Sequence, residues 1–240
     1  MRKGIEDARR RVAKAPGDAS AGRALAILLS RLGALQEEHG TLDAAREVYE
    51  EALELVRQLL ARDPDRVDWL RDLSVSPNNV GRIHEARGDP PRALAAFDES
   101  LALRRRLLAR DPDRVDWLRD LSGSLDNVGR IHRDQGDPTR AVQAHEESLS
   151  ICRQLLARDP ERTQWIRDLA LTLGWMGDAA RDAGNLSGAL EAHEEAESTW
   201  RRLAARDPKD AAASAGQVAA RTAIEDLRSR QKRRGSSRRS

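Results

Sequence analysis

The sequence predicts an all-α fold, a solenoid of stacked antiparallel helix pairs. The first observation behind that expectation is a repeat. Arg62-Asp63-Pro64 returns as Arg110-Asp111-Pro112, Arg158-Asp159-Pro160 and Arg206-Asp207-Pro208, each time after 48 residues. Trp69, Trp117 and Trp165 keep the same step, as do Gly33, Gly81, Gly129 and Gly177, and Gly40, Gly88, Gly136 and Gly184. Self-similarity at a fixed period of this size marks a repeat architecture. The second observation is apolar spacing of three and four residues within each unit, which belongs to helices. The third is composition. Aromatics are only 3% of the 240 residues, which disfavours sandwiches and barrels, whose strands draw on aromatic side chains.

Each unit reads as two helices of about 20 residues, joined by short turns as antiparallel neighbours are. In the unit 62–109, Asp63 is expected to cap the first helix, with Pro64 at its first turn. Trp69, Leu73, Val80 and Ile83 form that helix's apolar stripe. Gly88 supplies a left-handed C-terminal cap. Asp89 then precedes Pro90 and Pro91, where the second helix begins, and Ala93, Leu94, Phe97, Leu101, Leu107 and Leu108 make its buried face. Pro77 stands mid-helix where the other units hold Leu29, Leu125 and Leu173. Proline removes a helical hydrogen bond, so a bend or short break is expected near Ser76. A helix pair cannot bury its stripe alone, and stacked pairs supply one another's core. Gly81 and its equivalents, lacking a side chain, let helices approach closely.

The helix pairs are placed at 14–61, 62–109, 110–157 and 158–205. Before them, residues 1–13 align with the back half of a second helix, as if the chain started inside a unit. After them, residues 210–231 fill a first-helix position, with Ala213 in the tryptophan slot and Gln217 in a leucine slot, the polar character of a terminal cap. Residues 232–240 are expected to be a disordered basic tail. Charged residues reach 34% of the chain, yet the net charge is +2. That balance is uneven, because residues 228–240 hold seven basic residues and no acid, leaving 35 basic against 40 acidic in residues 1–227. Of the 42 basic residues, 38 are arginine. One cysteine, Cys152, excludes an intramolecular disulfide framework. No apolar run approaches the length that spans a bilayer, and the N-terminus has no apolar segment of a secretory signal, so a cytoplasmic location is expected.

These units resemble tetratricopeptide repeats, whose usual period is 34 residues. With Gly88 on the family's turn glycine, Gly81 falls on the first-helix glycine, Ala93 and Phe97 on the second helix's small and aromatic positions, and Ser100 on its second small position. The first unit supplies Gly33, Gly40, Ala45, Tyr49 and Ala52; the later two supply Gly129, Gly136, Ala141, Ser148 and Gly177, Gly184, Ala189, Ala196. His145 and His193 depart from the aromatic position. The longer Arg-Asp-Pro…Trp-x-Arg-Asp-Leu form looks like the long repeats of bacterial members. The resemblance implies a right-handed superhelix whose first helices line a concave groove that binds protein partners. It also suggests arrays attached to effector domains, none of which lies in this chain.

No constellation for catalysis is present. Phosphate-binding glycine loops and zinc motifs are missing, so no catalytic, cofactor or metal site is assigned. His84 and His132 share the slot of Gln36, and His145 and His193 that of Phe97; filling a repeat slot is the plainer reading than a metal ladder. Cys152, in the slot of Val56, Arg104 and Trp200, reads as a partly buried inert thiol. Arg71-Asp72, Arg119-Asp120 and Arg167-Asp168 read as ion pairs between neighbouring helices, each worth under ~1 kcal/mol.

By the resemblance, the groove is lined by Ser30, Arg31, Ala34 and Glu37; by Asn78, Asn79, Arg82 and Glu85; by Asp126, Asn127, Arg130 and Arg133; and by Gly174, Trp175, Asp178 and Arg181. Asparagine hydrogen-bonds an extended backbone and arginine forks onto carboxylates, while tryptophan anchors partners at hot spots. Asn78, Asn79, Arg82, Asn127, Arg130, Arg133, Trp175 and Arg181 are therefore the candidate partner-binding set. The leading functional expectation is a non-enzymatic scaffold that takes a peptide or helix of a partner protein. Two alternatives stand beside it: weak, non-specific nucleic-acid binding through the arginine tail, and a sensor fragment of a longer effector protein. Replacing Trp117 by alanine is expected to cost about 3–5 kcal/mol, measured as a shift in the urea midpoint at unchanged slope.

Overall fold

The 48-residue period becomes an uninterrupted succession of helices. A computed structural model describes residues 2–237, with side chains over 3–233. Ten helices and no strand occur among the described residues: α1 (Arg2–Lys14), α2 (Ala19–Glu38), α3 (Leu42–Arg62), α4 (Val67–Ala86), α5 (Pro90–Leu108), α6 (Val115–Asp134), α7 (Pro138–Arg158), α8 (Thr163–Asp182), α9 (Leu186–Arg206) and α10 (Ala211–Ser237). The fold is an all-α solenoid of helix pairs. It divides into two compact units, residues 1–117 and 118–240.

Turn chemistry sets the helix ends. Gly40, Gly88, Gly136 and Gly184 have φ of 72°, 71°, 80° and 81°, the left-handed region that glycine enters without steric cost. At Gly88 the amide donates to the Glu85 carbonyl at 2.9 Å, and the Asp89 amide to that of His84 at 2.9 Å, closing the last turn of α4. The next residue starts the second helix. Asp89, Asp137 and Asn185 accept hydrogen bonds from the amides of Arg92, Arg140 and Gly188 at 3.2, 3.1 and 3.0 Å.

At the Asp-Pro steps the structure corrects the expected cap. Asp63 ends α3, its amide donating to the Leu59 carbonyl, and α4 begins only at Val67. A residue before proline is driven out of the helical region, and Asp63 duly sits at φ −142°, ψ 84°. Arg66 then precedes the helix and lays its guanidinium over Trp69, 4.8 Å from the ring centroid. Arg114 over Trp117 and Arg162 over Trp165 repeat the arrangement at 5.2 and 4.8 Å. The repeat's tryptophans are thus buried beneath a cation at each first-helix start.

Pro77 does not break its helix. α4 runs continuously from Val67 to Ala86. Hydroxyls bond carbonyls in the turns just before the proline: Ser74 donates to Arg71 O at 2.7 Å, Ser76 to Asp72 O at 3.3 Å, and Ser100 of α5 to Ser74 O at 2.7 Å.

Pairing within each unit rests on a ring lying against a glycine. A Cβ on Gly33 would stand 2.5 Å from the Tyr49 ring, and one on Gly81 would stand 2.7 Å from Phe97. On Gly129 it would meet His145 at 2.6 Å and on Gly177 His193 at 2.7 Å. His145 and His193 therefore fill the aromatic slot as rings, and both are buried. In residues 1–117, Leu25, Leu29, Tyr49, Val56, Leu73 and Ile83 belong to one core. In residues 118–240, Ile166, Leu169, Leu173, Trp200, Leu203 and Ala213 belong to another. Trp200 is held by a fifth ring–glycine contact, because a Cβ on Gly216 would lie 2.5 Å from its indole.

Charges tie neighbouring helices at nearly constant sequence offsets. Arg23 of α2 meets Asp72 of α4 at 2.5 Å, and Arg119 of α6 meets Asp168 of α8 at 2.6 Å. Arg167 reaches Asp210 at 2.5 Å. On the second helices, Arg9–Glu51, Arg57–Glu99 and Arg153–Glu195 form the parallel series at 2.5, 2.8 and 2.7 Å. Of the recurring Arg-Asp residues, Asp72, Arg119, Arg167 and Asp168 link neighbouring helices. α10 binds α9 through Arg221–Glu197 at 3.0 Å and Arg228–Glu194 at 2.8 Å. It continues to Ser237, beyond residue 231 where the sequence reading closed it, supported by the Arg230–Asp226 pair one turn apart. The last part of the expected disordered tail, residues 238–240, lies outside the described residues.

Adding one methyl at Gly129 should overpack the ring contact and cost about 1–3 kcal/mol. Gly123, also on α6, has no atom within 4 Å of a built Cβ, so Gly123→Ala should gain about 0.5–1 kcal/mol. Thermal unfolding of the two variants should move in opposite directions.

Candidate partner-binding face

The candidate residues stand on the first helices α4, α6 and α8, and charge decides which are engaged within the chain. In residues 1–117, Arg82 of α4 forks onto Glu37 of α2, Nη2 to Oε2 at 2.5 Å and Nε to Oε1 at 3.2 Å. The Tyr49 hydroxyl donates to the same carboxylate at 3.1 Å. Burial, then the Glu37 charge, pushes the Tyr49 phenol up to about 12. The fork that was expected to meet a partner's carboxylate is thus occupied by the preceding first helix. Asn78 and Asn79 lie half-buried beside it.

In residues 118–240 two carboxylates of α8 gather the arginines. Arg133 of α6 contacts Asp178 at 3.1 Å and Asp182 at 3.8 Å. Arg181 contacts Asp178 at 3.1 Å and Asp182 at 3.0 Å. Burial raises the Asp178 carboxyl, but His193, Arg181 and Arg133 outweigh it and hold it below the usual carboxylate range. Trp175 is half-buried. Its ring stacks on His145, with centroids 6.3 Å apart and planes at 28°, and the Arg130 guanidinium sits 5.5 Å from its centroid. Arg130 of α6 and His145 of α7 thus both lie against the Trp175 ring of α8. Asn127 lies half-buried on α6.

Asp126, read from sequence as groove-facing, is instead 6% exposed. Its carboxylate joins His145 Nδ1 at 3.0 Å and accepts from Thr172 Oγ1 at 2.8 Å. The network continues inward. Ser122 Oγ lies 2.9 Å from Ser148 Oγ and 3.2 Å from Cys152 Sγ, and Ser148 Oγ donates to the Ser122 carbonyl at 3.2 Å. Burial pushes the Cys152 thiol up, the opposite of an activated nucleophile. Sequence reasoning missed this network. Its signal was hydroxyls repeating at the unit period, Ser74 with Ser122 and Ser100 with Ser148. Among the described residues no three potential metal ligands converge, and no helix is long and apolar enough to cross a membrane.

Beside this stack, α8 and α10 open a cavity of about 240 Å³ over α9. Leu171, Trp175 and Trp200 line it with Ala219, Ala220 and Ala223, and Asp178 and His193 supply its polar end.

The family model described as the tetratricopeptide repeat matches residues 72–154. That span carries Gly81, Gly88, Phe97, Gly129 and Gly136 in their expected places. Residues 72–154 are tetratricopeptide repeats. No curated protein matches the chain. Among solved structures, BtubC (BKLC) from P. vanneervenii is similar at 16% identity, with a TM-score of 0.59 over 97% of this chain and 89% of that one. A putative kinesin light chain from Podosopora anserina with nearly identical TPR-like repeats is similar at 16% identity. Its TM-score is 0.54, over 85% of this chain and 94% of that one. At such identities the likeness is one of fold.

Because Asp178 is held ionised, its contribution to stability is present above the unfolded carboxyl value of about 3.9 and lost as pH falls through its lower folded value. Asp178→Asn should therefore lower stability at neutral pH and flatten the loss below about pH 4, measured as the urea midpoint against pH.

Proposed function

We propose that the chain is a non-enzymatic scaffold of the cytoplasm that holds a peptide or helix of a partner protein on its first-helix face. The observation that carries this reading is the apolar cavity beside Trp175, bounded by two successive first helices. Contiguous apolar surface on a folded chain is costly to keep unless something covers it, and tryptophan at such a place is a typical binding anchor. Leu171 at 38% and Val218 at 63% exposure extend the apolar character of α8 and α10.

Within the candidate set, the paired arginines Arg82, Arg133 and Arg181 serve first to hold the face in shape. In residues 118–240, Trp175 and Arg130 are the anchor beside Asn127; in residues 1–117, Asn78 and Asn79 stand on the first helix α4. Repeat folds commonly bind partners in this way.

Peptides selected from a random 12-residue library on the immobilised chain supply the test. Trp175→Ala should weaken the selected peptides at least tenfold, while Arg57→Ala, on the second-helix face, should leave them unchanged. Equal affinity for the Trp175 variant and the wild type would remove the assignment.

A further inference from the structure

The stack beside the cavity shows what the cavity is shaped to receive. Trp175 covers the buried His145 ring. One unit on, the ring in the same slot is His193, and the residue standing 48 positions after Trp175 is Ala223. The two steps keep their register: Thr172 lies against Cys152 at 3.8 Å, and their equivalents Ala220 and Trp200 line one cavity together with Ala223 and His193. The cavity over His193 is therefore the place of a missing aromatic ring. Its volume, about 240 Å³, falls below the roughly 300–1,000 Å³ of drug-sized ligand sites and suits one large side chain.

The polar end narrows the choice. His193 is 4% exposed, and neither ring nitrogen has a hydrogen-bond partner. Asp178 Oδ1 stands 3.6 Å from Nε2, beyond hydrogen-bond reach. Where Arg130 covers Trp175 in the preceding step, the equivalent position holds the carboxylate of Asp178, an acceptor. A guest ring bearing an N–H finds the Asp178 acceptor, and a purely hydrocarbon ring leaves it unused.

We infer that this cavity captures the indole of a tryptophan presented by the partner protein, which lies on His193 as Trp175 lies on His145 and donates its N–H to the Asp178 carboxylate. The inference rests on the scaffold reading and names the side chain that anchors the partner.

Titrating the full chain with indole and with 1-methylindole tests it, read by NMR on the His193 ring, assigned through His193→Gln, and on the Trp175 indole. Saturable shifts at both residues are expected, with indole at least threefold tighter than 1-methylindole. Ala223→Trp should abolish the binding by supplying the ring from the chain itself and should raise Tm. If that variant does not fold, Ala219→Leu closes the same cavity and should also abolish binding. The absence of saturable shifts, equal affinity for the two probes, or binding retained in the folded filled variant would overturn the inference. The library peptides separate the two failures. Peptides that depend on Trp175 yet carry no tryptophan leave the scaffold reading standing and sink the indole site. Indole binding with no selectable peptide does the reverse.

Discussion

The ring resting on a glycine is the constraint from which the rest follows. Tyr49, Phe97, His145 and His193 each lie where a Cβ on the facing first helix would intrude to 2.5–2.7 Å. Such contacts fix how close the two helices of a pair come and their relative rotation, since a close-packed interior leaves little room to slide. Once the pair is set, the tryptophan, its covering arginine and the turn glycine fall into place at their own spacings. The tolerance lies in the chemistry of the ring. Tyrosine, phenylalanine and histidine all serve, so the slot selects a flat shape and leaves the polar edge open to other uses.

Those other uses separate the two units. In residues 1–117 the Tyr49 hydroxyl adds itself to the Arg82–Glu37 pair, a polar closure of the first-helix side. In residues 118–240 the His145 edge turns to Asp126 and its face to Trp175. Asp126 partners His145 Nδ1 and Thr172, and Ser122 and Ser148 partner each other further in. His193 occupies the same slot without an equivalent partner or covering ring, which distinguishes the end of the array from its middle.

Most of the fold was legible because period and punctuation carried it. The glycine caps, the Asp89-type helix starts, the buried tryptophans and the Arg-Asp links were all readable from ladders of identical residues. The Asp63 step was misread because aspartate before proline fits either a cap or a turn, and only the backbone bar on pre-proline residues decides between them. Pro77 was expected to interrupt its helix because its ring and missing N–H are local facts, whereas Ser100, which donates to a carbonyl beside it, comes from the neighbouring helix. The candidate face was legible as a set of positions. Which arginines are engaged was not, because Glu37 meets Arg82 across 45 residues. Asp126 looked solvent-facing beside Asn127, and its turn inward depends on His145 and Thr172, which lie on two other helices.

The near-constant offset of the charge pairs bears on how the chain acquires its structure. Arg23–Asp72 and Arg119–Asp168 each span 49 residues, and Arg57–Glu99 and Arg153–Glu195 span 42. Each such pair closes a loop of about one repeat, so the entropy lost on closure does not grow with the length of the array. Low contact order of this kind favours rapid folding, and a helix pair emerging during synthesis finds its partner in the pair just completed. Lengthening by duplication of one 48-residue block would likewise preserve the kind of neighbour each arginine meets.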